Sequence, residues 1–223
     1  MQKEIITTAD GSHSIYVSEL NEHYHSINGA IQESEHVFIR AGLEATNPNI
    51  TDLQLLEIGF GTGLNAFLTY LNQRKKSTRH IYYTGIEAYP LKMEMAMHLN
   101  YPEQLGEEKE AAVFHKLHSS VWGEAVNIAS NFTMTKITTP VQSLSLPCQY
   151  HLIYFDAFAP LVQPELWTTA VFAKMYEALL SQGILTTYCA KGVVKRTLKE
   201  VGFVVESIPG PKGKREMTRA IKP

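Results

Sequence analysis

The sequence predicts an α/β fold, a mostly parallel sheet with helices on both faces, preceded by a small N-terminal β-hairpin and helix. Three observations predict it. An apolar run, Leu55-Leu56-Glu57-Ile58, breaks at Gly59-Phe60-Gly61-Thr62-Gly63 and resumes with helical spacing at Leu64, Phe67, Leu68 and Leu71. That is the pattern of a buried strand, a tight turn and a helix start. Strand-like and helical stretches then alternate to the C-terminus, and such alternation builds a parallel sheet covered on both sides. Finally, 223 residues with 44% hydrophobic content suffice for one sizeable core.

Residues 1–50 stand outside the alternation and are expected to form an extension packed on a main domain of residues 51–223. Thr8-Ala9-Asp10-Gly11-Ser12 reads as a turn, Ser14-Ile15-Tyr16-Val17 as a strand, and residues 31–43 carry helical spacing. The hairpin and helix would lie over the mouth of the main sheet. Next come a strand at 53–59, a helix at 63–74, a strand at 80–87 and a helix at 90–99. Glu107-Glu108-Lys109-Glu110 reads as a solvated face, and residues 111–129 as one or two helices with His115 and His118 on the surface. Strands follow at 132–138 and 150–156. A long helix is expected over 163–180, with Pro164 near its start and Trp167, Val171, Met175 and Leu179 along one face. A strand at 183–188, a basic helix at 191–199 and a closing strand pair at 203–208 and 217–221 complete the chain.

Composition narrows the function. No apolar run approaches the roughly 20 residues of a membrane span, and a basic-then-apolar leader pattern is absent. Cys148 and Cys189 are the two cysteines, too few for a disulfide framework, so a cytoplasmic protein with free thiols is expected. A formal net charge of −2 means that any nucleic acid must be held by a local basic patch. His23 and His25 have no cysteine or acid at metal spacing, so no metal is expected.

The chemistry gathers at the strand ends. A dinucleotide fingerprint requires glycine three positions after Gly61, where Leu64 stands. The observed spacing, Gly59-x-Gly61-x-Gly63, resembles motif I of class I S-adenosylmethionine-dependent methyltransferases; a plain glycine-rich β–α turn is the other reading. Glu87 ends the second strand 24 residues beyond Gly63. An acid about 20 residues on accepts hydrogen bonds from ribose hydroxyls in open α/β sheets, although a merely solvated carboxylate also fits. Asp156 ends an apolar strand and is followed by Ala157-Phe158-Ala159-Pro160, with no polar neighbour to neutralise it. Partial burial would raise its pKa and suit it to take the proton of an alkyl ammonium before in-line methyl transfer. Its alternative role is to brace the turn before Pro160. Lys191, Lys195, Arg196, Lys212, Lys214 and Arg215, extended by Lys199 and Arg219, form either a phosphate-binding rim or a solvated face.

Three stretches together carry a more specific resemblance: Leu56-Glu57-Ile58-Gly59-Phe60-Gly61-Thr62-Gly63-Leu64-Asn65, Asp156-Ala157-Phe158-Ala159-Pro160 with Pro164-Glu165-Leu166-Trp167-Thr168, and Pro209-Gly210-Pro211 with Gly213-Lys214-Arg215-Glu216-Met217. From about Tyr24 to the C-terminus the chain resembles the methyltransferase domain of the MnmC family, bifunctional enzymes of tRNA wobble-uridine modification. The resemblance implies a Rossmann-like class I methyltransferase with a mostly parallel seven-stranded sheet. It implies S-adenosyl-L-methionine as cofactor, held by Glu57, Gly59, Gly61, Thr62, Gly63 and Asn65, with Glu87 on its ribose. The implied reaction is N-methylation of 5-aminomethyl-2-thiouridine to the 5-methylaminomethyl product, with Asp156 facing the acceptor amine. The tRNA anticodon stem-loop would lie on Lys191, Lys195, Arg196, Lys214 and Arg215, with Phe158 stacked on a splayed-out wobble base. Those enzymes continue into a flavin-dependent oxidase domain, whereas this chain stops at Pro223. A separate enzyme is therefore expected to supply the aminomethyl substrate. The family's relatives often bind adenine with an acid after the third strand; here Thr138-Thr139-Pro140-Val141-Gln142 has none, leaving Gln142 or main chain for that contact. Two other classes remain open from the residues alone. An aminopropyltransferase would need extra acids at the mouth for a diamine. A non-enzymatic RNA-binding module would not need Glu87 and Asp156 at strand ends.

Overall fold

In chain order the elements are β1 (Lys3–Thr7), β2 (His13–Val17), β3 (Glu22–His23), α1 (Ala30–Ser34, continued by a π-helical segment Glu35–Arg40), β4 (Asp52–Ile58), α2 (Leu64–Arg74), β5 (His80–Ile86), α3 (Met93–Ala96), α4 (Tyr101–Gln104), α5 (Ala111–Ser119), β6 (Ala125–Ala129), β7 (Phe132–Ile137), β8 (Tyr150–Phe155), α6 (Thr169–Ala178), β9 (Leu179–Thr187), α7 (Gly192–Val201), β10 (Val204–Pro209) and β11 (Glu216–Ile221). This computed structural model describes residues 2–74 and 79–223. β1, β2 and β3 form a small antiparallel sheet, and the rest form one sheet in the order β10-β11-β9-β8-β4-β5-β7-β6. β9, β8, β4, β5 and β7 run parallel, while β11 runs against β9 and β6 against β7.

Strand periodicity decides what each face buries. Leu53 and Leu55 of β4, Tyr83 of β5 and Leu152 and Tyr154 of β8 join Phe38, Phe67, Phe114 and Leu117 in one core. Their neighbours Leu56, Ile58, Ile153 and Phe155 join Val171, Phe172, Met175, Val194 and Leu198 in the other. Successive side chains of a strand point to opposite faces, so α1, α2 and α5 cover one side and α6 and α7 the other. Fully burying side chains of this size contributes about 1.5–3 kcal/mol each.

The strand–helix alternation of the sequence holds, with local departures. The main sheet has eight strands where seven were expected. The additional one is β6, in a stretch read as helix: Val126 and Ile128 alternate as in a strand, and Gly123, at φ +83°, breaks helical continuation before them. The helix expected over 90–99 is one turn, α3, and the chain beyond it ties down the small sheet through Asn100. Its Oδ1 accepts from His13 N at 2.8 Å and its Nδ2 donates to Gly11 O at 3.0 Å. The helix expected over 163–180 is shorter at both ends. Pro164 sits in a 3₁₀ turn (Pro164–Leu166), Thr168 caps α6 by accepting from Val171 N, and Leu179 already belongs to β9. The expected N-terminal hairpin has a third short strand, and its helix widens into π turns.

Three strand ends meet at the turn after β4. Gly59 N and Phe60 N both donate to Ile86 O at the end of β5, and Asp156 N, just past β8, donates to Ile58 O. Gly59 has φ +91°, and a Cβ there would lie 2.3 Å from Asp156 O. Both conformation and space exclude a side chain. Gly59→Ala should therefore lower the unfolding free energy by more than the ~1–3 kcal/mol of backbone strain alone. Gly106→Ala provides the comparison, since Gly106 has φ +65° but nothing within 4 Å of its Cβ position. Urea denaturation of the two variants checks this, and equal losses would remove the close approach as a cause.

Candidate active site

The turn after β4 opens into a cavity of about 880 Å³ at the carboxyl ends of the parallel strands. Gly59, Phe60, Gly61 and Thr62 form one wall, Glu87 and Tyr89 a second, Thr139 to Gln142 a third, and Asp156 to Ala159 a fourth. The N-terminal segment completes it with Tyr24, His25, Ser26 and Glu33. Crevices of this kind, outside the carboxyl ends of strands, are where open α/β sheets bind ligands.

Glu87 sits where an acid can meet both the turn and a ligand. Its Oε2 accepts from Gly61 N at 3.0 Å and its Oε1 from Tyr89 N at 2.8 Å. A carboxylate offers about four lone-pair sites, so acceptor capacity is left for hydroxyls in the cavity. Glu57 and Gly63, two of the expected cofactor residues, lie behind the turn rather than on the cavity wall. Glu57 is fully buried, and burial holds its carboxyl well above the usual range, with the charges of Asp156 and Glu87 adding to the effect. Asn65, at the start of α2, links the two acids: its Nδ2 donates to Glu57 Oε1 at 2.9 Å and to Asp156 Oδ2 at 2.8 Å.

Asp156 thus has a polar neighbour that its own stretch of sequence does not reveal. Burial pushes its carboxyl up to about 7, against which Asn65 donates, Glu33 raises and Lys214 lowers. The backbone beyond it is braced on three sides. Phe158 N donates to Gln163 Oε1, Trp167 Nε1 donates to Phe158 O, and Tyr188 Oη donates to Ala157 O at 2.8 Å. The Phe158 ring lines the cavity and meets Tyr24 edge-on, with centroids 5.1 Å apart.

Two histidines that the sequence left without a role hold the glycine turn. His118, expected on the surface, is half-buried, and its Nε2 lies 3.0 Å from Thr62 O. Burial pushes its pKa down to about 4, so the ring is neutral near pH 7 and Nε2–H donates. His25 Nε2 approaches Thr62 Oγ1 at 3.4 Å, and burial likewise pushes this ring down to about 4. Lys136, 1% exposed, donates to His118 O and lies over the Trp122 ring at 4.6 Å. The signals available were weak: a lysine alternating into the core of β7, and a histidine four residues after Phe114.

The basic residues divide. Lys195 pairs with Glu216 at 2.7 Å, Lys214 with Glu33 at 2.6 Å, and Arg219 with Glu206 at 2.6 Å. Lys191, Lys199, Lys212, Arg196 and Arg215 are exposed. Lys191, Lys214 and Arg215 line a second hollow that shares Ala159, Tyr188 and Lys214 with the main cavity. Among the described residues no group of three or more His, Cys, Asp or Glu could hold a metal ion, and no helix is long and apolar enough to cross a membrane.

A family model for S-adenosyl-L-methionine-dependent methyltransferases matches residues 108–223. The chain belongs to that family. Its cofactor is accordingly S-adenosyl-L-methionine, and the residues fit it. The cavity is large enough, its turn presents bare main chain at Gly59 and Gly61, and a carboxylate with free acceptor capacity stands beside them. Among curated relatives, the bifunctional MnmC protein of tRNA 5-methylaminomethyl-2-thiouridine biosynthesis from Aromatoleum aromaticum is 29% identical over 211 residues, covering 88% of this chain and 32% of that protein. The Ralstonia nicotianae protein of the same name is 29% identical over 207 residues, covering 90% and 32%. The chain therefore spans about a third of the length of these relatives. Among solved structures, MNMC2 from Aquifex aeolicus superposes with a TM-score of 0.80 at 24% identity, covering 98% of this chain and 70% of that one. Spermidine synthase from Thermotoga maritima gives 0.57 at 12% identity, covering 100% and 72%. Both likenesses concern the fold.

The raised Asp156 carboxyl has a thermodynamic consequence. The folded protein holds this proton up to about pH 7, whereas an unfolded aspartate loses it near pH 3.9. Stability relative to Asp156→Asn should therefore decline as pH rises from about 4 to about 7, by about 2–4 kcal/mol in all, and stay level above. Denaturant unfolding of both proteins across that range checks the sign, and a difference independent of pH would contradict it.

Proposed function

We propose that this chain N-methylates the aminomethyl group of 5-aminomethyl-2-thiouridine at the tRNA wobble position, giving the 5-methylaminomethyl product. The observation that carries the reading is Asp156. It is a carboxyl of raised pKa on the wall of the cavity that also holds the glycine turn and Glu87. The matched relatives bear the name of that biosynthesis, and the motifs around Asp156 and Lys214 support the same assignment.

In this reading Gly59, Gly61 and Thr62 seat the cofactor, Glu87 takes its ribose hydroxyls, and Thr139 to Gln142 cover its adenine through main chain or Gln142. Glu57 and Gly63 shape the seat from behind, and Asn65 lines it. S-adenosyl-L-methionine supplies a methyl group on a positively charged sulfur. The acceptor amine arrives mostly protonated, and a nitrogen without a lone pair cannot attack in line. Asp156, with a pKa near 7, is charged in a large fraction of molecules at neutral pH and takes the proton. Asn65 holds Oδ2 in place while Oδ1 faces the amine. Alignment of the two reactants supplies most of the acceleration. Phe158, on the same wall, stacks on the base. A loop base can be splayed out at lower cost than a paired one.

The tRNA would reach the cavity across the second hollow. Lys191 and Arg215, and beyond them Arg196, are the exposed cations for its phosphates; Lys195, Lys214 and Arg219 are paired internally. Acids line the cavity as well, Glu22, Glu33 and Glu165 among them, and they suit a cationic amine of any kind. Transfer to a polyamine is therefore the competing outcome. We further infer a cytoplasmic protein.

Transfer of a labelled methyl group to tRNA carrying the aminomethyl nucleoside, followed by nucleoside mass spectrometry, tests the assignment. Asp156→Asn should lower turnover about 10²–10⁴-fold, with partial recovery at high pH where the amine is already neutral. Methylation of spermidine but not tRNA would overturn it. In binding assays Lys191→Ala and Arg215→Ala should each reduce the log–log salt slope by about one, and Arg219→Ala should leave it unchanged. Equal slopes in all three would mean that the rim does not hold phosphates.

A further inference from the structure

Lys214 was read as one cation of a phosphate rim, yet the fold turns it inward. Its ammonium lies 2.6 Å from Glu33 Oε1 and 4.1 Å from the centre of the Tyr188 ring. Glu33 is 8% exposed at its side chain, and its other oxygen accepts from Ser26 N at 2.8 Å. The partners are 181 residues apart in sequence. Glu33 comes from α1 of the N-terminal segment and Lys214 from the loop between β10 and β11. Both line the same cavity as Asp156. A pair with one buried partner contributes little net stability, but removing Lys214 strands the buried Glu33 charge.

We propose that Glu33 and Lys214 are positioning residues, a charge pair that draws the N-terminal segment across the acceptor end of the cavity and sets the electrostatic potential at Asp156. The two charges act on Asp156 in opposite senses, Glu33 disfavouring its ionised form and Lys214 favouring it. The other groups facing Asp156 leave that control to the pair. Asn65 of α2 is a neutral donor, and burial raises the Glu57 carboxyl of β4, which disfavours a charge there. Tyr83 of β5, Tyr101 of α4 and Tyr188 after β9 are held above their usual range by burial and stay uncharged near pH 7. An arriving ammonium would meet a site whose charge depends on whether Lys214 stays with Glu33.

The test reads Asp156 directly and needs no acceptor substrate, so it stands apart from the tRNA assignment. The sequence has three aspartates, Asp10, Asp52 and Asp156. Carboxyl-¹³C aspartate labelling therefore gives three titration curves, and Asp156→Asn identifies the one that disappears. Glu33→Gln should lower the Asp156 midpoint and Lys214→Met should raise it, each by about half a pH unit or more, with Lys214→Arg close to wild type. The double variant Glu33→Gln/Lys214→Met should fall between the two singles, and exposed Asp52 should not move in any of them. A structural disturbance would not change sign with the charge removed. Shifts of the same sign, or no shift in either single variant, would overturn the proposal. If Lys214→Met fails to fold, Glu33→Gln alone decides, and an unmoved midpoint there overturns it.

Discussion

The turn after β4 has no room for a side chain, and the rest of the site hangs from that constraint. Gly59 passes against the carbonyl of Asp156 while its own N–H is spent on Ile86. The ends of β4, β5 and β8 are therefore locked at one level. Each strand delivers an acid close to that level: Glu57 within β4, Glu87 after β5 and Asp156 after β8. Their different environments follow from small offsets along parallel strands. Glu57 is one pleat deeper and points into the core, whereas the other two stand past the last sheet residue and reach the cavity.

A charged Glu57 would repel both Asp156 and Glu87. The fold resolves this with a neutral amide and a buried acid. Asn65 donates one N–H to Glu57 and one to Asp156, so a single side chain on α2 fixes the orientation of both. Burial raises the Glu57 carboxyl and so disfavours one of the charges. Asp156 is left near the middle of its titration at neutral pH, the condition under which a carboxyl exchanges protons with an amine most readily. Two half-buried, neutral histidines then hold Thr62 without adding charge beside the glycine turn.

Much of this was legible in the sequence, for reasons that also mark where it stops. Period-two burial in β4 and β8, the helical spacing of α2 and the glycine turn are local patterns, and each appears where it was expected. Acids at strand ends are visible because an apolar run ends in them. The departures come from tertiary overrides. The chain after the short α3 is drawn to the small sheet, where Asn100 bonds His13, 87 residues earlier in the chain. β6 forms only because β7 offers it an edge. The roles of His25, His118 and Lys136 depend on which elements close over the turn, and the Glu33–Lys214 pair joins the two ends of the chain. A charge run read along the sequence cannot distinguish Lys214, which turns inward, from Arg215 beside it, which does not.

Placing the cofactor on the glycine turn with its ribose on Glu87 is tested most directly by calorimetric titration of S-adenosyl-L-methionine into wild-type protein and Glu87→Ala. The lost charged hydrogen bonds are worth about 1.5–3 kcal/mol, so affinity should fall by roughly 10- to 150-fold. Unchanged affinity in the variant would contradict the placement of the cofactor.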